Sequence, residues 1–275
     1  MSKDVFGRQE LNLGDLRFSY RSCGHQGPQL VLLHGISSGA ASWSACAQAL
    51  EGKARVLAWD APGYGSSSPL PDKAPNATAY AQRLALLLDA LDIESCVLVG
   101  HSLGVLMAAA FAQLHAARLR ALMLFSPALG YGGGERAQAV RTSRLAGLSL
   151  GIAAMANKLP ARLLSADATA EQQQQLRQVA LGLHADGYTQ AVEMLCAEDL
   201  FAYKDLPPLT QVHCGEHDIV TKPEQSRAYA LQQGLPFSLI AGAGHACQVE
   251  QPAAVASLMA QVLAEVESSS SGTAP

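Results

Sequence analysis

Six short stretches of this chain, residues 29–33, 55–59, 96–99, 121–125, 210–214 and 237–240, are apolar almost throughout, and helical patterns lie between several of them. A strand that is apolar on both faces must be covered on both sides, as in a parallel sheet sandwiched between helices. The alternation predicts an α/β fold with a mainly parallel sheet. Ahead of these runs, 10–13 and 16–21 read as two further strands joined by Gly14-Asp15, a two-residue hairpin signal. The expected sheet has eight strands.

The helical patterns carry their own start signals. Residues 76–91 place Tyr80, Leu84, Leu87, Leu88 and Leu91 on one face, with Asn76 or Thr78 available as cap. Residues 103–115 begin directly after Ser102, 224–232 follow Pro223, and 253–267 follow Pro252. Residues 129–205 break the alternation. They hold the glycine cluster Gly130, Gly132, Gly133 and Gly134, then helical stretches that include 169–184 with Thr169 as cap. This segment is expected to be a helical cap inserted into a core made of residues 1–128 and 206–267. Residues 268–275, rich in Ser and Gly, are expected to be a disordered tail.

Composition narrows the function classes. The chain has 275 residues, 49% hydrophobic and 15% charged, with net charge −4. An ordinary soluble domain carries about 25% charged residues, so a large buried core is expected and general disorder is excluded. A nucleic-acid binder would show a basic stripe, which the chain lacks. No apolar run approaches the roughly 20 residues of a membrane span, and residues 1–8 lack a signal-peptide core. The six cysteines, Cys23, Cys46, Cys96, Cys196, Cys214 and Cys247, form no CxxC pair. Free buried thiols in a reducing cytoplasm are expected. A monomer or a homodimer would fit, and a small-molecule substrate is the expected partner.

The strongest local signal is Gly100-His101-Ser102-Leu103-Gly104, a G-x-S-x-G between an apolar run and a helical pattern. That context is what a strand–turn–helix nucleophile site requires. The turn lifts the serine hydroxyl into open space, and the helix N-terminus aims N–H groups at developing negative charge. With these residues the chain resembles the α/β-hydrolase superfamily over nearly its whole length. His34-Gly35 is similar to the family's oxyanion-loop motif, and Asp60-Ala61-Pro62-Gly63-Tyr64-Gly65-Ser66 to its D-x-P-G-x-G-x-S loop. The resemblance implies an oxyanion hole from the backbone N–H groups of Ile36 and Leu103. It gives His34 and His101 supporting rather than proton-transferring roles.

A serine nucleophile needs a base, and the family order is Ser, acid, His. His245, in Gly242-Ala243-Gly244-His245, follows the last expected strand, where the resemblance places the base; His213 lies inside a strand and reads as core. Cys214-Gly215-Glu216-His217-Asp218-Ile219-Val220 resembles the family's acid turn, which makes Asp218 the acid, with Glu216 as rival. No histidine or cysteine spacing suggests a metal, and no cofactor is needed. Among apolar residues of the cap, Tyr131, Met155 and Tyr188 are candidates for substrate contact. Arg136, Arg141, Arg144 and Arg162 could bind a substrate carboxylate or form a solvated helix face.

These features predict a serine hydrolase of small to medium apolar carboxylic esters or lactones. The alternative is a C–C bond hydrolase of aromatic ring-cleavage products, because His245-Ala246-Cys247-Gln248-Val249-Glu250-Gln251-Pro252 is similar to H-W-x-Q-x-E-x-P of those enzymes. Ala246 replaces their tryptophan, and Val105 stands where they usually carry a glycine.

Overall fold

The computed structural model describes residues 6–271. Its strands are β1 (Arg8–Leu13), β2 (Leu16–Cys23), β3 (Gln29–Leu33), β4 (Arg55–Asp60), β5 (Cys96–His101), β6 (Leu119–Phe125), β7 (Thr210–Gly215) and β8 (Phe237–Ile240). They form one sheet in the order β1-β2-β4-β3-β5-β6-β7-β8. Leu13 pairs with Leu16 across the predicted two-residue turn. β2 runs antiparallel to both neighbours, and every other pairing is parallel.

The helices are α1 (Ser44–Ala49), α2 (Ala77–Ala90), α3 (Leu103–Leu114), α4 (Gly134–Ser149), α5 (Ile152–Leu163), α6 (Ala170–Leu181), α7 (Ala185–Ala197), α8 (Pro223–Gln233), α9 (Cys247–Glu250) and α10 (Pro252–Ser271). Alternate strand residues serve opposite layers, as a pleated strand requires. Val31, Leu33, Leu98, Leu122 and Leu124 pack with α2 and α3. Leu30, Leu32, Val97, Val99 and Met123 pack with α1 and α10 on the other face. This two-sided burial is why the strands read as continuous apolar runs.

Local signals act as expected at several ends. Asn76 caps α2 by accepting from the Ala79 N–H. Thr169 and Gln172 form a reciprocal capping box at the start of α6. The C-terminus differs from expectation. α10 continues to Ser271, so residues 268–271 are helical rather than disordered, and 272–275 lie outside the described residues. The apolar stripe through Val255, Met259, Val262, Leu263 and Val266 anchors this helix, and propagation past the anchor costs little. The hydroxyls of Ser268 and Ser269 turn back to donate to the Glu265 carbonyl.

Helices α4–α7 form an insertion between β6 and β7. It meets the core at two glycines: a Cβ on Gly63 would lie 2.4 Å from the Gly187 Cα. The Gln190 side chain on α7 then bonds both the N–H and the carbonyl of Leu70 and the carbonyl of Asp72.

Candidate active site

The site is assembled at the carboxyl ends of β5, β7 and β8, where an open α/β sheet places its ligands. Ser102 joins β5 to α3 with φ 53° and ψ −117°, a strained backbone for a residue with a side chain. Both glycines of the motif are required by close approach. A Cβ on Gly100 would lie 2.7 Å from the Gly104 carbonyl oxygen, and one on Gly104 2.6 Å from that of Leu33.

Ser102 Oγ lies 2.9 Å from His245 Nε2, and His245 Nδ1 lies 2.8 Å from Asp218 Oδ2. All three residues are buried. The two carboxylate oxygens of Asp218 are fully engaged. Oδ1 accepts from the N–H groups of Val220 and Thr221, while Oδ2 faces His245 and the Thr221 hydroxyl. Burial pushes this carboxyl up, but the His245 charge, its hydrogen bond and the two N–H groups outweigh burial. The net effect holds Asp218 below the usual carboxylate range. The rival Glu216 is exposed and turned away, accepting from the Gly242 N–H. His217 beside it is likewise exposed.

The supporting histidines have defined tautomers. His34 Nε2 accepts from the Ala61 N–H, so its Nδ1 donates to the Gly35 carbonyl. Burial lowers its pKa. His101 Nε2 donates to the His245 carbonyl at 2.8 Å. Burial, then the neighbouring His245, push His101 down to about 3, so it stays neutral. The Tyr64 hydroxyl donates to the Ile36 carbonyl, fixing the loop that carries the Ile36 N–H. Leu103 is the first residue of α3, so its N–H has no intrahelical acceptor.

Two lobes of one cavity meet at Ser102. The first, about 600 Å³ with its mouth, is walled by Leu159, Leu163, Leu176, Val179 and Val249. The second, about 670 Å³, is more polar and includes Tyr131, Arg136, Thr221 and Gln225. Ile36, Ser102, Arg144, Arg162 and Val220 face both. Of the three candidate contact residues only Tyr131 lines the cavity. Tyr188 is buried within the insertion, where its hydroxyl faces Arg144 at 3.4 Å. Met155 is half-buried and packs against the apolar core. Helical spacing shows that such residues are apolar-faced, but not which neighbour the face meets.

The sequence reasoning missed two residues. The Thr221 hydroxyl lies 2.9 Å from Asp218 Oδ2, 3.2 Å from His245 Nδ1 and 3.1 Å from the Ser126 carbonyl. Its position three residues after the acid was the available signal. Glu250 is buried and accepts from the N–H groups of Gly244 and Ser165, tying the histidine loop to the insertion. All six cysteines are free and buried.

A mostly parallel eight-stranded sheet with a helical insertion, and a serine, histidine and carboxylate bonded in series at a strand–helix turn, define the α/β-hydrolase class. The chain belongs to the alpha/beta hydrolase family, whose model matches residues 30–258. It is 32% identical over 120 residues to 2-hydroxy-6-oxononadienedioate/2-hydroxy-6-oxononatrienedioate hydrolase 1 of Dechloromonas aromatica (strain RCB), covering 42% of each chain. It is 39% identical over 99 residues to pimeloyl-[acyl-carrier protein] methyl ester esterase of Aeromonas hydrophila, covering 36% of this chain and 37% of that one. The chain thus spans about two fifths of the length of these curated relatives. A malate-bound thermophilic esterase from Thermogutta terrifontis superposes with TM-score 0.83 at 26% identity, covering 94% of this chain and 99% of that one. The enol-lactonase of Burkholderia xenovorans LB400 has the same fold, with TM-score 0.82 at 24% identity, covering 93% and 100%. No described helix is long and apolar enough to cross a membrane.

Proposed function

We propose that the protein is a serine hydrolase that cleaves small to medium carboxylic esters or lactones through an acyl-enzyme on Ser102. The observation that carries this is the chain of contacts from Ser102 Oγ to His245 Nε2 at 2.9 Å and from His245 Nδ1 to Asp218 at 2.8 Å. In this reaction Ser102 attacks the carbonyl carbon while its proton passes to His245 Nε2. Asp218, held ionised, keeps the His245 proton on Nδ1 and stabilises the imidazolium that forms. The N–H groups of Ile36 and Leu103 receive the negative charge on the carbonyl oxygen. His245 returns the proton to the leaving alcohol, and a water activated by the same nitrogen releases the acid. The apolar first lobe supports an apolar portion of the substrate. Residues 129–205 act as the cap that closes the site, and the six free thiols support a reducing compartment.

Hydrolysis of a C–C bond in a ring-cleavage product is the second reading. It is supported by the segment from His245 to Pro252 and by the Dechloromonas relative named above. The test is turnover of a panel of p-nitrophenyl esters and of a vinylogous 1,5-diketo acid by wild type and Ser102→Ala. Ester turnover that disappears in the variant is expected. Undiminished turnover in Ser102→Ala would exclude the acyl-enzyme, and efficient cleavage of the diketo acid with poor ester turnover would select the second reading.

A further inference from the structure

The cavity contains positive charge that the protein does not neutralise. Some arginines of the described residues have acidic partners close by, and others lie outside the cavity. Arg141, on the same helix as Arg144, is 2.6 Å from Glu193, and Arg118 is 2.6 Å from Asp89. Arg144 and Arg162 are different. Among the described residues neither has an acidic partner, and no Asp or Glu lines either lobe. The half-buried Arg144 donates from one nitrogen to the Tyr188 hydroxyl at 3.4 Å, leaving most of its donors unused. Arg162 makes no hydrogen bond or ion pair among the described residues, and it keeps an exposed face at the cavity mouth. Arg136 stands over the Tyr131 ring at 5.4 Å in the second lobe. Partial burial and then the Arg144 charge lower the Arg162 guanidinium. Unpaired charge partly withdrawn from water, as at the half-buried Arg144, is costly. A guanidinium fork that faces a cavity is matched by a carboxylate, which it can bind through two parallel hydrogen bonds.

We infer that Arg144 and Arg162, with Arg136 in the same lobe, form a subsite for a free carboxylate of the substrate. The preferred substrate is then an ester or lactone that carries a second, ionised carboxyl group a few bonds from the scissile carbonyl. This rests on the hydrolase reading, because Ser102 borders the same lobe and fixes where the scissile carbonyl must sit. The apolar first lobe receives the uncharged remainder.

Hydrolysis of monoethyl succinate, glutarate and adipate is compared with that of ethyl butyrate by pH-stat titration. The measured quantity is the ratio of kcat/KM for the best hemiester to that for the neutral ester, which cancels any general loss of active protein. Wild type is expected to prefer the hemiester by about 30-fold or more, the range of a charge-assisted contact. Arg144→Gln/Arg162→Gln is expected to lose that preference, and Arg144→Lys/Arg162→Lys to recover part of it. A wild-type ratio near one, or an unchanged ratio in the Gln variant, would overturn the subsite while leaving Ser102-dependent hydrolysis intact. If wild type turns over no ester, the hydrolase reading fails instead. Calorimetric titration with glutarate then decides the subsite separately. Binding lost in the Gln variant supports it, and no binding to wild type overturns it.

Discussion

His213 gives the protein a defined weakness to mild acid. The residue lies on β7, buried, with its ring 4.8 Å from that of Phe125. Its Nδ1 lies 2.8 Å from the Ser238 hydroxyl, and its Nε2 has no hydrogen-bond partner among the described residues. Burial pushes its pKa down to about 4, against about 6.5 in an unfolded chain. Between these values the unfolded chain binds the proton and the folded one does not, so stability falls as pH falls through 6.5 and levels off below about 4. At pH 5 the differential protonation amounts to about 2 kcal/mol, and at pH 7 to only a few tenths. His213→Gln keeps a hydrogen-bonding group but no titration. Its constant packing cost cancels when the loss between pH 7 and pH 5 is compared with the wild-type loss. Buried groups common to both proteins, including His101, cancel in the same way. Urea unfolding followed by the fluorescence of the buried Trp43 and Trp59 measures both. Wild type is expected to lose about 2 kcal/mol more than the variant over this interval. Equal losses would refute the claim that His213 is held neutral by burial.

Three further outcomes follow from the site. Asp218→Asn places an amide N–H₂ or a neutral acceptor opposite His245 Nδ1 and disturbs its tautomer, so ester kcat is expected to fall about 10⁴-fold, with a lower Tm because the surroundings favour the ionised carboxylate. Gly104→Ala puts a methyl group 2.6 Å from the Leu33 carbonyl oxygen; chemical denaturation is expected to show a loss of about 2–3 kcal/mol or failure to fold. Glu250→Gln leaves either the Gly244 or the Ser165 N–H facing an amide N–H₂. Tm and kcat are expected to fall together, with a stability loss of about 1.5–3 kcal/mol by thermal and urea unfolding.

The parallel core was legible because its strands are buried on both faces and its helices carry explicit caps. The runs at 29–33 and 237–240 coincide with β3 and β8 to the residue. Asn76, one of the two cap candidates for α2, and Thr169, read as the cap of α6, accept from the N–H groups of Ala79 and Gln172. Ser102 was singled out by its motif, and Asp218 and His245 by the family resemblance; the structure brings the three together at turns where the backbone approaches closely. At the elbow, Gly100 and Gly104 have no room for a Cβ. The cap was harder, since an amphipathic helix shows which face is buried and leaves its partner undefined. Tyr188 and Tyr131 look alike in sequence, yet one is buried inside the insertion and the other faces the cavity. The arginines behave likewise: Arg141 and Arg144 are three residues apart on α4, but Glu193 neutralises only the first. The end of α10 was misread because composition marks a tail, whereas an anchored helix continues through the serines to Ser271.

The histidine loop is held from both sides, which makes the insertion part of the proposed catalytic framework. From the core, His101 donates to the His245 carbonyl. From the insertion, the Leu163 carbonyl accepts from the Ala246 N–H at 2.8 Å, and the Ser165 N–H shares Glu250 with Gly244. Gln172 on α6 adds a bond to the Glu250 carbonyl at 3.0 Å. A Cβ on Gly244 would lie 2.7 Å from the Ser165 backbone nitrogen, so the two segments touch at the backbone. Lifting the end of α5 from the core would therefore break the contacts that place His245 against Ser102. Any opening that leaves the base in position must come from elsewhere in the insertion. In the segment leading into α4, Gly133 and Gly134 both adopt positive φ with open space around them, while the Gly133 N–H donates to the Cys196 carbonyl at 2.9 Å. Gly130, by contrast, is fixed against the Glu198 carbonyl. Motion of α4 about 133–134 would carry Arg144 and leave the Leu163–Ala246 contact in place, but would have to break the Arg141–Glu193 and Arg144–Tyr188 contacts with α7. Substrate charge and cap position would then be linked through one helix, whereas the base is held by another.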